Sequence, residues 1–256
     1  MPFHRFDRLA RTVANPRLAK DAAGATLEGR YTYFRRIYMA AGTGSELHYH
    51  PNELIIFPLQ GRMNAVVGKD RRIVTPGTFV HVPANAQHSI RATEDGPMNY
   101  LYIKDKTWSL VGIAAAEAPP DKDAATRRRG KSVKSRAIVD GLGVCYYPLT
   151  DRLDAPAPSA QHATWLAGER LEFGFVEALA GAVETRTASP HEQFLYMLWG
   201  GMRVTVDSKR KHVGAGDIIE IPRGARYELA VPKGEWARYV GIRSTRFLEG
   251  QLKRRG

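Results

Sequence analysis

The chain is built from short apolar runs punctuated by turn-forming residues. LIIFPL (54–59), MNAVV (63–67), TFVHVP (78–83) and MNYLYI (98–103) are rich in β-branched and aromatic residues, with Gly, Pro and Asp between them. A second set, FLYML (194–198), MRVTV (202–206), DIIEIP (217–222) and ARYVGI (237–242), has the same character. Apolar positions recurring at the 3.6-residue helical period are scarce. The pattern predicts an all-β protein with a sandwich or barrel in each half. The closing stretch STRFLEGQLKRR (244–255) is expected to add a short terminal helix.

Displacing the sequence against itself by 139 positions lays Pro51–Ile90 over Pro190–Leu229 without a gap. The coincidences include Pro51/Pro190, Glu53/Glu192, Gly61/Gly200, Met63/Met202, Gly77/Gly216 and Pro83/Pro222. Glycines and prolines at equal intervals impose the same turns at the same places. A period this long marks two copies of a whole domain, not a solenoid unit. Between the copies, Thr107 to Arg136 carries Pro119-Pro120 and a basic run, the composition of a linker. The expected organisation is a first barrel over 1–118, a basic linker over 119–137 and a second barrel over 138–256.

Composition narrows the classes. At 256 residues, 43% hydrophobic and 25% charged, the chain is neither disordered nor fibrous. No apolar run approaches the roughly 18 residues of a membrane span. The N-terminus lacks the hydrophobic stretch of a signal peptide, so a soluble, cytoplasmic protein without a membrane partner is expected. The single cysteine, Cys145, excludes a disulfide framework and a four-cysteine zinc site, and is expected to be a buried, inert thiol. The net charge of +12 is concentrated in Arg127, Arg128, Arg129, Lys131, Lys134 and Arg136, and in Lys253, Arg254 and Arg255. Clusters in a linker and a tail are not a basic stripe across a folded face, and nucleic acid is not an expected partner.

The chemistry lies in the histidines. On a strand, residues i and i+2 project from one face, so His48 and His50 point the same way, about 7 Å apart along the chain. His88, from a neighbouring strand, can converge on them inside a small barrel. Neutral imidazoles suit iron, nickel, copper or zinc. A site with three protein ligands leaves positions open for water, substrate or dioxygen.

The spacing of these residues resembles that of the cupin family. The first motif reads Gly44-Ser-Glu-Leu-His48-Tyr-His50-Pro-Asn-Glu53-Leu54 and closes at Gly61; the second reads Gly77-TFVHV-Pro83-ANAQ-His88. The resemblance covers both halves. It implies two tandem cupin-type jelly-roll β-barrels with short peripheral helices, one divalent transition metal per chain, and a homodimer. Iron is the first choice of metal, with manganese, nickel or zinc as alternatives. The family's fourth ligand, a carboxylate or glutamine, falls on Leu54, which cannot bind metal. Glu53 is one residue away, and a one-residue slip on a strand reverses the face. Glu53 is therefore a secondary candidate ligand, and three histidines plus water the expected shell. The second copy has Thr187, Ser189 and Tyr227 in place of the histidines, with Gln193 alone remaining, and is expected to be metal-free.

Three neutral imidazoles leave a 2+ charge uncompensated, which favours an anionic, chelating small molecule. Cupins lacking the carboxylate include iron dioxygenases, so the resemblance implies an Fe(II)-dependent dioxygenase. A metal-dependent isomerase of a sugar or keto acid, with His81 or Glu46 as base, and a non-enzymatic ligand-binding protein are the alternatives. Arg35 and Arg36, with Tyr31, Tyr33 and Tyr38, lie on the strand-like segment leading into the first motif, where alternation places some of them in the barrel mouth and an arginine could pair with an anionic substrate.

Overall fold

Alternation along the strands divides each half into inward and outward side chains. In Thr32–Met39, Ile37 and Met39 enter the interior of the first barrel, whereas Phe34 turns outward into a core shared with the second. The computed structural model of the protein describes residues 1–15, 17–118, 135–154 and 156–246. The first barrel closes between two antiparallel sheets. One, of seven strands, runs Tyr146–Pro148, Thr78–Val82, Leu54–Gln60, Met98–Asp105, Thr32–Met39, Ala19–Glu28 and Arg11–Asn15. The other, of five, runs Ile113–Ala114, His48–Tyr49, His88–Ala92, Met63–Val67 and Asp70–Val74.

The second barrel repeats this plan 139 positions further on. Thr32–Met39, Thr78–Val82 and Met98–Asp105 recur as Leu171–Ala178, Asp217–Ile221 and Ala237–Ser244. Met98–Asp105 lies between Thr32–Met39 and Leu54–Gln60, just as Ala237–Ser244 lies between Leu171–Ala178 and Glu192–Val206.

Strand pairing does not follow a division into 1–118 and 138–256, because each barrel borrows an edge strand from the other half. Phe3–Arg5 pairs with the second barrel, Phe3 opposite Ile219; Tyr146–Pro148 pairs with the first, Tyr146 opposite Val80. Ile219 and Val80 are themselves equivalent positions of the repeat, so the exchange is reciprocal. Each borrowed strand covers an edge that would otherwise present unpaired backbone groups. The basic run at 127–134 lies outside the described residues. So does most of the expected C-terminal helix, 247–256. Among the described residues the short peripheral helices are absent except for one 3-10 turn, Phe6–Arg8. Glycine- and proline-rich turns pass the chain directly from strand to strand, leaving few residues to coil between them.

The large sheets of the two barrels pack face to face through an aromatic layer. Phe34 stacks on Phe194 at 5.2 Å, and Phe79 meets Phe173 edge-on at 5.0 Å. Beside this layer sit two buried carboxylates. Glu53 of the first barrel accepts hydrogen bonds from the amides of Glu169 (2.6 Å), Arg170 (2.7 Å) and Leu171 (2.9 Å) in the second. Glu192 of the second accepts from the amides of Arg30 (2.5 Å) and Tyr31 (3.0 Å) in the first. The repeated acid found in the sequence is thus a reciprocal clasp between the barrels. Burial pushes the Glu192 carboxyl up, and the two amides and Thr32 oppose that rise.

The clasp explains two glycines, Gly29 and Gly168, which are also equivalent positions. A Cβ at Gly168 would overlap Glu53 Oε1, and one at Gly29 would lie 2.7 Å from Glu192 Oε1. Gly168→Ala and Gly29→Ala are each expected to lower stability by roughly 1–3 kcal/mol through overpacking. Denaturant midpoints would show it, and unchanged midpoints for both would contradict the clasp.

Candidate metal centre

His48 begins the short strand His48–Tyr49, and His50 follows it; His88 begins His88–Ala92 and pairs across the ladder with His48. The ring centroids lie 4.2 Å (His48–His88), 4.7 Å (His50–His88) and 6.0 Å (His48–His50) apart. One ligand atom from each of the three can be chosen so that all lie within 4.8 Å of one another, and all three side chains are buried. Among the described residues no other group of three or more His, Cys, Asp or Glu has this geometry.

The backbone fixes the tautomer of each ring. Nδ1 of His48 bonds the Glu46 carbonyl at 2.7 Å, Nδ1 of His50 that of Asn52 at 2.9 Å, and Nδ1 of His88 that of Ala86 at 2.9 Å. A carbonyl oxygen only accepts, so each Nδ1 carries the proton and each Nε2 keeps its lone pair. His50 Nε2 is buried with no hydrogen-bond partner. An orphaned lone pair of this kind, beside two matching imidazoles, fits a bound transition metal. Burial pulls the His48 imidazole down to about 4, and pulls His50 and His88 well below the usual value, so the three rings are neutral at physiological pH. Gly112 packs against the His48 ring, where a Cβ would overlap Cδ2.

Leu54, at the fourth-ligand position of the motif, lines a cavity of about 30 Å³ together with His48, His88, Arg35, Tyr100 and Tyr102. Glu53 is not part of the cluster. Strand parity turns it to the opposite face, where it holds the second barrel and accepts or shares a hydrogen bond with His81 Nε2 at 2.8 Å. His81 is thereby engaged outside the cavity, and the Glu46 side chain is exposed. Neither proposed isomerase base lines the cavity beside the histidines.

Two basic side chains lie near them, Arg35 on the cavity wall and Lys104 behind it. Arg35 is buried; its Nε has no partner and its Nη1 reaches only the Ala14 carbonyl, at 3.4 Å. Lys104 is fully buried; its Nζ meets the Leu110 carbonyl at 3.3 Å and lies 5.4 Å from the Tyr102 ring centroid. Burial lowers the Lys104 ammonium well below its ordinary range, with the Arg35 charge adding to the effect, and it lowers Arg35 as well. Lys104 also depresses the protonation of all three histidines. Lys104 carried no motif signal, since a lysine in MNYLYIKD reads as a strand end. Its equivalence to Arg243 under the 139-residue shift was the available clue.

In the second barrel the corresponding polar atoms satisfy one another. Ser189 Oγ donates to the His191 carbonyl and accepts from Gln193 Nε2, Gln193 Oε1 accepts from Arg243, and the Tyr227 hydroxyl donates to Glu184. A larger cavity of about 420 Å³ opens here, between Val176, Met202, Leu229 and Tyr239, without converging ligand atoms. Cys145 is buried, and burial raises its thiol above the usual range.

Two jelly rolls in tandem, with three inward imidazoles in one of them, define a two-barrel cupin architecture. A profile of the cupin domain matches residues 35–104 and 174–242, which is more than half of the chain. The chain belongs to the cupin family, with one copy in each half. Among solved structures, an oxalate decarboxylase is similar at 16% identity and a TM-score of 0.67, covering 96% of this chain and 78% of that one. Oxalate decarboxylase from Bacillus subtilis at pH 4.6 is similar at 16% identity and 0.66, with 95% and 76% covered. AerE from Microcystis aeruginosa is similar at 14% identity and 0.65, with 96% and 99% covered. These likenesses establish the fold. A sequence search of curated proteins finds no match. No helix among the described residues is long and apolar enough to cross a membrane.

This geometry has consequences for metal content and for acid stability. Glu53→Gln should keep one metal per chain but melt earlier than wild type, because one oxygen of the clasp becomes a donor facing amide donors. His88→Ala should lose the metal, as measured by elemental analysis after dialysis. The metal-free protein should also lose stability as pH falls from about 6.5 toward 4. In that window the unfolded chain takes up protons that the buried imidazoles refuse, so the folded state is progressively disfavoured. Urea midpoints across the window should fall less steeply for a His48→Ala, His50→Ala, His88→Ala triple variant.

Proposed function

We propose that the protein is an Fe(II)-dependent dioxygenase acting on a small anionic substrate that chelates the metal. The observation that carries this reading is a buried, neutral three-imidazole cluster whose fourth-ligand position is apolar and whose cavity has no acidic lining residue. Nitrogen-only ligation suits iron better than the oxygen-preferring manganese or magnesium. The Nε2 atoms of His48, His50 and His88 would hold the ion, each aimed by its Nδ1–carbonyl bond. Bound iron supplies a redox-active Lewis acid with positions open to substrate and dioxygen.

The rest is done by the chain. Leu54, Ile37, Met39 and Ile90 wall the cavity and exclude water, which strengthens every electrostatic contact inside. Arg35 orients an acidic group of the substrate. In a dioxygenation both oxygen atoms enter the substrate and the substrate supplies the electrons, so no external reductant is required. The substrate is a small molecule, the location cytoplasmic, and the assembly a homodimer.

Protein purified without a histidine tag should carry one iron per chain, and Thr187→Ala with Ser189→Ala should leave that stoichiometry unchanged. Iron-loaded protein should consume dioxygen with a member of a panel of enolates, β-diketones and hydroxy acids. Two metals per chain, or iron-loaded protein that consumes no dioxygen with any of them, would count against the proposal.

A further inference from the structure

The two barrels form an internal control for charge. Lys104 and Arg243 are equivalent positions, at the same place on the strands Met98–Asp105 and Ala237–Ser244. In the second barrel the cation has carboxylates of its own. Arg243 lies 4.0 Å from Glu172 and 4.0 Å from Glu184, bonds Gln193 and stacks 3.6 Å over Trp165. In the first barrel both acids are replaced. Tyr33 stands at the Glu172 position and Ser45 at the Glu184 position, the latter fixed by matching bridges, Gly44 opposite Arg91 and Val183 opposite Ala230. The cation is kept, and a second one, Arg35, is added where the second barrel has Gly174 under the Trp165 ring.

The first barrel therefore buries two basic side chains, Arg35 on the cavity wall and Lys104 behind it, together with three neutral imidazoles, and no acid lines the cavity. Backbone carbonyls are the only hydrogen-bond acceptors that Arg35 and Lys104 reach among the described residues. Burial disfavours the charged form of such basic groups until a counter-charge arrives. A divalent metal on the histidines would add to the imbalance. A monoanion bound to that metal would leave Arg35 and Lys104 unanswered.

We propose that Arg35 and Lys104 anchor the second acidic group of a dianionic ligand whose first acidic group binds the metal, so that the site selects dicarboxylates over monocarboxylates. This rests on the metal reading above. The guanidinium of Arg35 presents the donor fork that matches a carboxylate.

Malonate and acetate titrated calorimetrically into Zn(II)-loaded protein test the inference without recourse to activity. Wild type should bind malonate at least tenfold more tightly than acetate. Arg35→Met and Lys104→Met should each lose tenfold or more in malonate affinity while still holding one Zn(II) per chain. Lys104→Arg, which installs the second barrel's residue, should retain binding, and Arg243→Met should leave it unchanged. Equal affinity for the two anions in wild type, or both Met variants binding malonate as wild type does, would overturn the anchor with the metal site intact. A wild type that takes up no Zn(II) would instead overturn the metal reading and the anchor together.

Discussion

Burial of the Glu53 and Glu192 carboxylates between the barrels sets the geometry on which the site depends. Each accepts hydrogen bonds from backbone amides in a loop of the opposite barrel, and each loop begins at a glycine that leaves it room. A buried carboxylate without those amides would be untenable, so the clasp holds the barrels in one register. It also settles parity on the strand that follows. With Glu53 turned outward to the partner barrel, residue 54 must turn inward, and there it is Leu54, an apolar wall beside the histidines.

The duplication then diverged inside the barrels while the outside stayed common. The shared aromatic layer, the reciprocal edge strands and the clasp treat the two halves alike. The interiors do not. One carries imidazoles whose free nitrogens converge, and the other a closed polar network of Ser189, Gln193, Arg243, Glu184 and Tyr227. A satisfied network has no lone pairs to offer a metal, whereas the orphaned Nε2 of His50 has nothing else to do.

Much of this was legible in the chain. The 139-residue repeat carried the two-barrel plan, because identical turns need identical Gly and Pro positions. The period-2 geometry of strands brought His48 and His50 to one face, and the fixed offset to His88 supplied the third ring. What escaped were interactions between segments distant in sequence. The edge strand Phe3–Arg5 is three residues long and crosses to the other barrel, a pairing that no local pattern encodes. The expected peripheral helices are missing from the described residues because tight turns left no length for them. The partner of Glu53 is a run of backbone amides, which has no sequence signature. Lys104 looked like an ordinary strand terminus until its position inside the barrel was known.

The central claim is that one barrel binds metal through three imidazoles alone while Glu53 serves the barrel interface. Anomalous diffraction from crystals of metal-loaded protein addresses it directly. The account predicts one peak per chain, at about 2.0–2.1 Å from the Nε2 atoms of His48, His50 and His88, with Glu53 still bonded to the amides of residues 169–171. A Glu53 oxygen within about 2.0–2.2 Å of the ion, or a second peak inside the other barrel, would contradict it.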